Sequence, residues 1–150
     1  MKKYSKTLLA VLFSVATIAS FAQKHDERPK KYASLPESIN IDKNIFGNVL
    51  NAPEGKEISV QLSNELTFTG TVISNFTKYK KLHTVMVRST EDASSILQIT
   101  LIDSDNEISY AGRILSNNAA DGYEIKNNNG NYTLQKFETL RILDPCNLKL

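Results

Sequence analysis

The sequence predicts an all-β fold: a small antiparallel barrel, OB-like or similar, or a sandwich, of about eight strands behind an N-terminal tail. Two observations carry that expectation. From residue 45 onward, apolar residues recur with a period of two, and clusters of Asn, Asp and Gly fall between the alternating runs. A third agrees with them: no stretch of eleven residues carries a convincing helical stripe.

Taken in order, the predicted strands span 45–50, 57–62, 65–73, 82–88, 95–102, 107–115, 122–127 and 131–137. Ile58, Val60 and Leu62 alternate with Ser59 and Gln61, and Leu66, Phe68, Gly70 and Val72 alternate with three threonines. Leu97, Ile99 and Leu101 follow the same rule, as do Ile108, Tyr110, Gly112 and Ile114. Tyr123 and Ile125, then Tyr132 and Leu134, complete the set. Such alternation, rich in β-branched and aromatic residues, suits a pleated surface with one buried face. The intervening Asn, Asp and Gly supply the left-handed backbone positions of tight hairpins. Residues 137–143 (FETLRIL) read as a last strand or a short helix.

Ahead of this domain, residues 1–22 read as a secretory signal peptide. Lys2, Lys3 and Lys6 form a positive start, residues 8–19 are mostly apolar, and Ser20-Phe21-Ala22 places small residues for cleavage after Ala22. The apolar run falls short of the roughly 20 residues that span a bilayer. Removal of the leader gives a secreted, periplasmic or envelope protein with no membrane insertion. Residues 23–44 read as a mobile tail, because residues 23–31 hold seven ionisable groups and no aliphatic one. Residues 45–150 are then the single β domain.

Composition excludes more than it assigns. The formal net charge of +2 includes the three leader lysines, and without them 15 bases stand against 16 acids. A near-neutral chain gives no support for nucleic-acid binding. One cysteine and two histidines preclude a disulfide framework or a multi-cysteine metal centre, and no cofactor is expected. No P-loop, dinucleotide fingerprint, nucleophile elbow or zincin motif is present. The chain is therefore expected not to be an enzyme.

His83 lies on the face of Val85 and Val87 near a strand end, and reads as a rim histidine more than a base. His25 lies in the charged tail. The run Asp103-Ser104-Asp105-Asn106-Glu107 lacks the glycine and final glutamate of a calcium loop and reads as a turn. The basic run from Lys78 to Lys81 reads as a solvated loop. Asn75 and Asn131 each open an N-glycosylation acceptor triplet. Cys146, an unpaired thiol in an exported chain, is an outside candidate, with Asp144, to ligate a partner's zinc.

The segments Tyr110-Ala111-Gly112-Arg113-Ile114-Leu115-Ser116, Asp121-Gly122-Tyr123-Glu124-Ile125 and Gly130-Asn131-Tyr132-Thr133-Leu134 resemble a small all-β domain of secreted bacterial proteins, often found beside extracellular metalloproteases. In that pattern Gly112 sits where a bulky side chain is not tolerated, and the tyrosines cover the core edge. Size, leader, tail and strand count are also similar to the potempins, small β-barrel inhibitors that bacteria direct against their own secreted proteases. The resemblance implies a non-enzymatic inhibitor of an extracellular protease, with a metalloprotease as the expected partner. The contact residues expected from the tail are Tyr32, Ser34, Leu35 and Pro36, with Leu35 held extended by the following proline. The alternative is a surface module binding glycan or an envelope protein, since six asparagines fall within residues 117–131.

Overall fold

The computed structural model describes residues 27–104 and 107–139. Eight strands form one antiparallel sheet: β1 (Ser38–Ile41), β2 (Glu57–Gln61), β3 (Thr67–Lys78), β4 (Leu82–Ser89), β5 (Ser95–Ser104), β6 (Glu107–Ser116), β7 (Asp121–Asn128) and β8 (Asn131–Glu138). The order across the sheet is β1-β8-β7-β6-β5-β4-β3-β2. Strands β2 to β8 are thus a plain meander, and β1 adds to its far edge. The sheet curls into a half-barrel around one core, and among the described residues no further strand pairs with the outer edges of β1 and β2.

The alternation read from the sequence is the pleat that builds this core. Val85, Val87, Leu97, Ile99, Ile114, Tyr123 and Leu134 are fully enclosed on the concave face. Gly112 lies where the neighbouring strand comes closest, and a Cβ there would run into the Gln98 carbonyl and the Ile125 side chain. The β7–β8 hairpin turns through Asn129 and Gly130, both at positive φ. Asp103 and Ser104 end β5 and Glu107 opens β6, so the acidic run brackets a hairpin, as its composition implied.

Three features depart from the sequence reading. Residues 45–50 are not a strand but lie in a helix, α1 (Asn44–Leu50), which buries Phe46, Val49 and Leu50. That i, i+3, i+4 spacing is helical, and the Asp42 carboxylate accepts the Asn44 N–H at 2.9 Å to start the turn. Strand β3 continues five residues beyond the expected end at 73. Val72 pairs with Val87 and Ser74 with Met86, so Ile73 is an extra residue in a β-bulge. The bulge flips the alternation, and this hides the rest of the strand from a period-two reading.

The third departure concerns the tail. Residues 27–44 are not loose: they contain β1, whose Ile39 and Ile41 are buried, and Tyr32 is only 5% exposed. Four residues with two isoleucines give little sequence signal, but β8 offers them a ready edge, with Ile39 opposite Leu134 and Ile41 opposite Tyr132. The predicted leader, His25, Asp144 and Cys146 lie outside the described residues.

Candidate functional site

Two regions carry the geometry relevant to function: a pinned loop at one end of the half-barrel and an open cleft along its seam. The loop comprises residues 30–37. The Asp121 carboxylate, 1% exposed at the start of β7, accepts the N–H groups of Lys31 and Tyr32 at 2.7 and 3.0 Å. Tyr32 then enters the core and meets Tyr123 edge to face, with ring centroids 5.3 Å apart. Burial, with Asp121 and Asp92 nearby, pushes the Tyr32 hydroxyl up to about 12. Burial, with Glu37 and Asp121, pushes that of Tyr123 up to about 12 as well.

On the far side of the loop, the Tyr123 hydroxyl donates to the Pro36 carbonyl at 2.5 Å. Lys136 Nζ donates to the Leu35 carbonyl at 2.6 Å, and the Lys136 N–H donates to the Glu37 carbonyl at 2.8 Å. Lys31 reaches the other way, to Asp92 and to the Ser95 hydroxyl, both at 2.8 Å. That bond to Lys31, followed by those from Ser94 and Ser95, holds the Asp92 carboxyl well below the usual carboxylate range.

The four contact candidates therefore separate. Tyr32 is buried and Leu35 packs against the core, whereas Ser34 and Pro36 are exposed. The backbone is also not the extended peptide expected there. The Leu35 N–H donates to the Tyr32 carbonyl at 3.1 Å, closing a turn that presents Ala33 and Ser34 to solvent. The backbone at Lys31 and Tyr32 is held by one buried carboxylate, Asp121, that lies 90 residues away in the chain.

The cleft lies between the outer edges of β1 and β2, with α1 along its side, and encloses about 1000 Å³. Ile58, Val60 and Leu62 turn toward the core, so Glu57, Ser59 and Gln61 display their side chains outward. Backbone parity follows from the flanking bonds: the Val72 N–H donates to the Lys56 carbonyl, and the Leu62 N–H donates to the Leu66 carbonyl. The even-numbered residues of β2 thus bond β3, and the N–H and C=O groups of Glu57, Ser59 and Gln61 face the cleft. By the same reasoning from the Lys136–Glu37 bond, Ser38 and Asn40 present their backbone groups from the β1 side. Amide side chains of Asn40, Asn48, Asn51, Gln61 and Asn64 also line the cleft.

His83 is committed elsewhere. Its Nε2 lies 2.7 Å from Asn75 Oδ1, while Asn75 Nδ2 donates to the Leu50 and Ala52 carbonyls at 3.1 and 2.8 Å. The pair ties β3 and β4 to the end of α1. The same bonds occupy the Asn75 amide that a glycan would need, whereas Asn131 sits exposed beside a hairpin turn. The six asparagines within 117–131 do not make one surface: Asn117 and Asn118 precede β7, and Asn127, Asn128, Asn129 and Asn131 lie at its opposite end. Among the described residues, no three His, Cys, Asp or Glu side chains converge as metal ligands. Nor is any described helix long and apolar enough to cross a membrane.

No family model, curated protein or solved structure matches the chain.

Proposed function

We propose that the protein is exported and acts without catalysis, binding and inhibiting an extracellular protease of the metalloprotease class. The observation that carries this reading is the exposed turn through Ala33 and Ser34 with Pro36 beside it, anchored on one side by Asp121 and Tyr32 and on the other by Tyr123 and Lys136. A loop held rigid before its partner arrives loses little entropy on docking, and this is what an inhibitory loop needs. The division of labour follows: Tyr32 and Leu35 hold the loop, and Ser34 and Pro36 touch the protease. The leader-like N-terminus and the potempin-like organisation support the same reading. Asp144 and Cys146 are the residues whose chemistry suits a partner's zinc.

The test is a titration of the purified protein against a panel of secreted metallo-, serine and cysteine proteases from its source. Inhibition of a metalloprotease at or below micromolar concentration is expected, and Ser34→Arg should abolish it without lowering the unfolding temperature. A panel left fully active at micromolar protein would remove the proposal. Inhibition unaffected by Ser34→Arg would remove the loop from it.

A further inference from the structure

We propose that the β2 edge is a docking site for an extended, basic segment of a partner protein, which adds to the half-barrel as a further strand. This inference does not depend on the partner being a protease. An unpaired edge is a ready template for another strand, and native proteins usually blunt it with proline, a bulge or a covering element. Glu57 to Gln61 contains no proline and keeps an unbroken register with β3, and no strand pairs with its outer side among the described residues. Three residues, Glu57, Ser59 and Gln61, aim backbone donors and acceptors into the cleft of about 1000 Å³.

The cleft specifies the occupant by its polarity and charge. Side-chain amides both donate and accept, so the five that line it suit peptide groups of any sequence. The charged groups that line it are Asp42 and Glu57 against Lys56. That acidic excess favours a segment carrying Lys or Arg. A second copy of this chain is disfavoured, because two five-residue edges bury far less than the roughly 1,600 Å² of a stable interface.

Position 59 offers a selective test. The Ser59 N–H points into the cleft, so Ser59→Pro removes a donor from the docking side and spares the backbone ladder to β3, at the loss of one exposed hydroxyl bond to Thr69. Decapeptides would be selected from a random phage-displayed library on the immobilised full-length protein, synthesised, and measured by calorimetry. Expected are peptides enriched in Lys and Arg, weakened by raising salt from about 25 to about 300 mM. Ser59→Pro should weaken them about tenfold or more while the unfolding temperature is kept. Should that variant fail to fold, N-methylation of alternate peptide residues must abolish binding to the unaltered protein. No enrichment, equal binding by folded Ser59→Pro, or survival of binding after N-methylation would each overturn the proposal. So would peptides that bind only after residues 140–150 are removed, or a dimer that forms through β2, since the edge would then be occupied by this chain itself. A protein that inhibits no protease yet binds such peptides would sink the proposed function alone.

Discussion

The Asp121 carboxylate offers the sharpest check on how the N-terminal loop is held. Substitution by alanine removes both acceptors of the Lys31 and Tyr32 N–H groups at a site 1% exposed. Each hydrogen bond to a charged acceptor contributes about 1.5–3 kcal/mol, and the orphaned donors must find water or detach. The anchored state should therefore lose about 3–5 kcal/mol, or roughly 10–15 °C in unfolding temperature if the loop unfolds with the sheet. If instead the loop releases alone, Tyr32 leaves the core and the sheet remains. The two outcomes separate by measuring urea unfolding alongside amide hydrogen exchange. In either case the amides of Lys31 and Tyr32 must lose protection, and the inhibition proposed for the loop must fall with them. Asp121→Asn should show a smaller loss, because its one carbonyl still serves one of the two donors. A stability change below about 1 kcal/mol together with unchanged protection at residues 31 and 32 would refute Asp121 as the anchor.

Other substitutions address the sheet and the tyrosines. Gly112→Ala should be strongly destabilising, by about 2–4 kcal/mol in urea unfolding, because its methyl meets the Gln98 backbone and cannot be relieved by a side-chain rotation; a near-neutral result would mean that β5 and β6 are not so close. Because Tyr32 and Tyr123 hold their protons up to about pH 12 when folded, against 10.0 unfolded, their stabilisation is intact below pH 10 and declines as pH rises toward 12. Tyr123→Phe should flatten that decline, and phenolate absorbance titrating wholly near pH 10 in the folded protein would contradict the burial. Tyr79 and Lys80 occupy left-handed backbone at φ 56° and 58°. Replacing them with Asn-Gly should raise stability by about 1–2 kcal/mol, and a loss on thermal unfolding would mean that the native pair makes contacts worth more than the strain.

What the sequence disclosed depended on how local the cause was. Seven of the eight strands begin within two residues of their expected starts, among them those carried by Leu97, Ile99, Tyr123 and Leu134, because period-two alternation is written in consecutive residues. Strand β1 was hidden because its formation depends on β8, roughly ninety residues later. The extension of β3 was hidden because one bulged residue, Ile73, inverts the pattern that identifies a strand. The loop anchors were hidden for a related reason. Nothing near Tyr32 announces that Asp121 will accept its N–H, and a buried carboxylate at the start of a strand looks in sequence like an ordinary turn former. By contrast, Gly112 was readable as a position closed to larger side chains, and Tyr123 and Tyr132 as part of the core boundary; both tyrosines lie within the core itself.

The misread segment 45–50 also explains the open seam. Strand β1 leads into β2 through α1 rather than through a hairpin, and the two edges are not hydrogen-bonded to each other. Had these residues formed a strand, it would have lain beside β2 or β1 and consumed their outward N–H and C=O groups. As a helix it satisfies its own backbone and needs only one apolar stripe buried. Phe46 supplies most of that stripe, stacking on Tyr110 at 4.5 Å and meeting Tyr132 edge-on at 5.1 Å. The Tyr132 hydroxyl in turn accepts the Tyr110 N–H at 3.2 Å, fixing the rings that receive the helix. The end of α1 is held from the other side by Asn75 and His83. The side that a further strand would close in a full barrel is thus covered by the helix, whose Phe46 packs on the rings of Tyr110 and Tyr132. The same packing that satisfies the core leaves the outward backbone groups of Glu57, Ser59 and Gln61 without a partner strand among the described residues, so the exposed edge is a consequence of how the fold is stabilised rather than a defect in it.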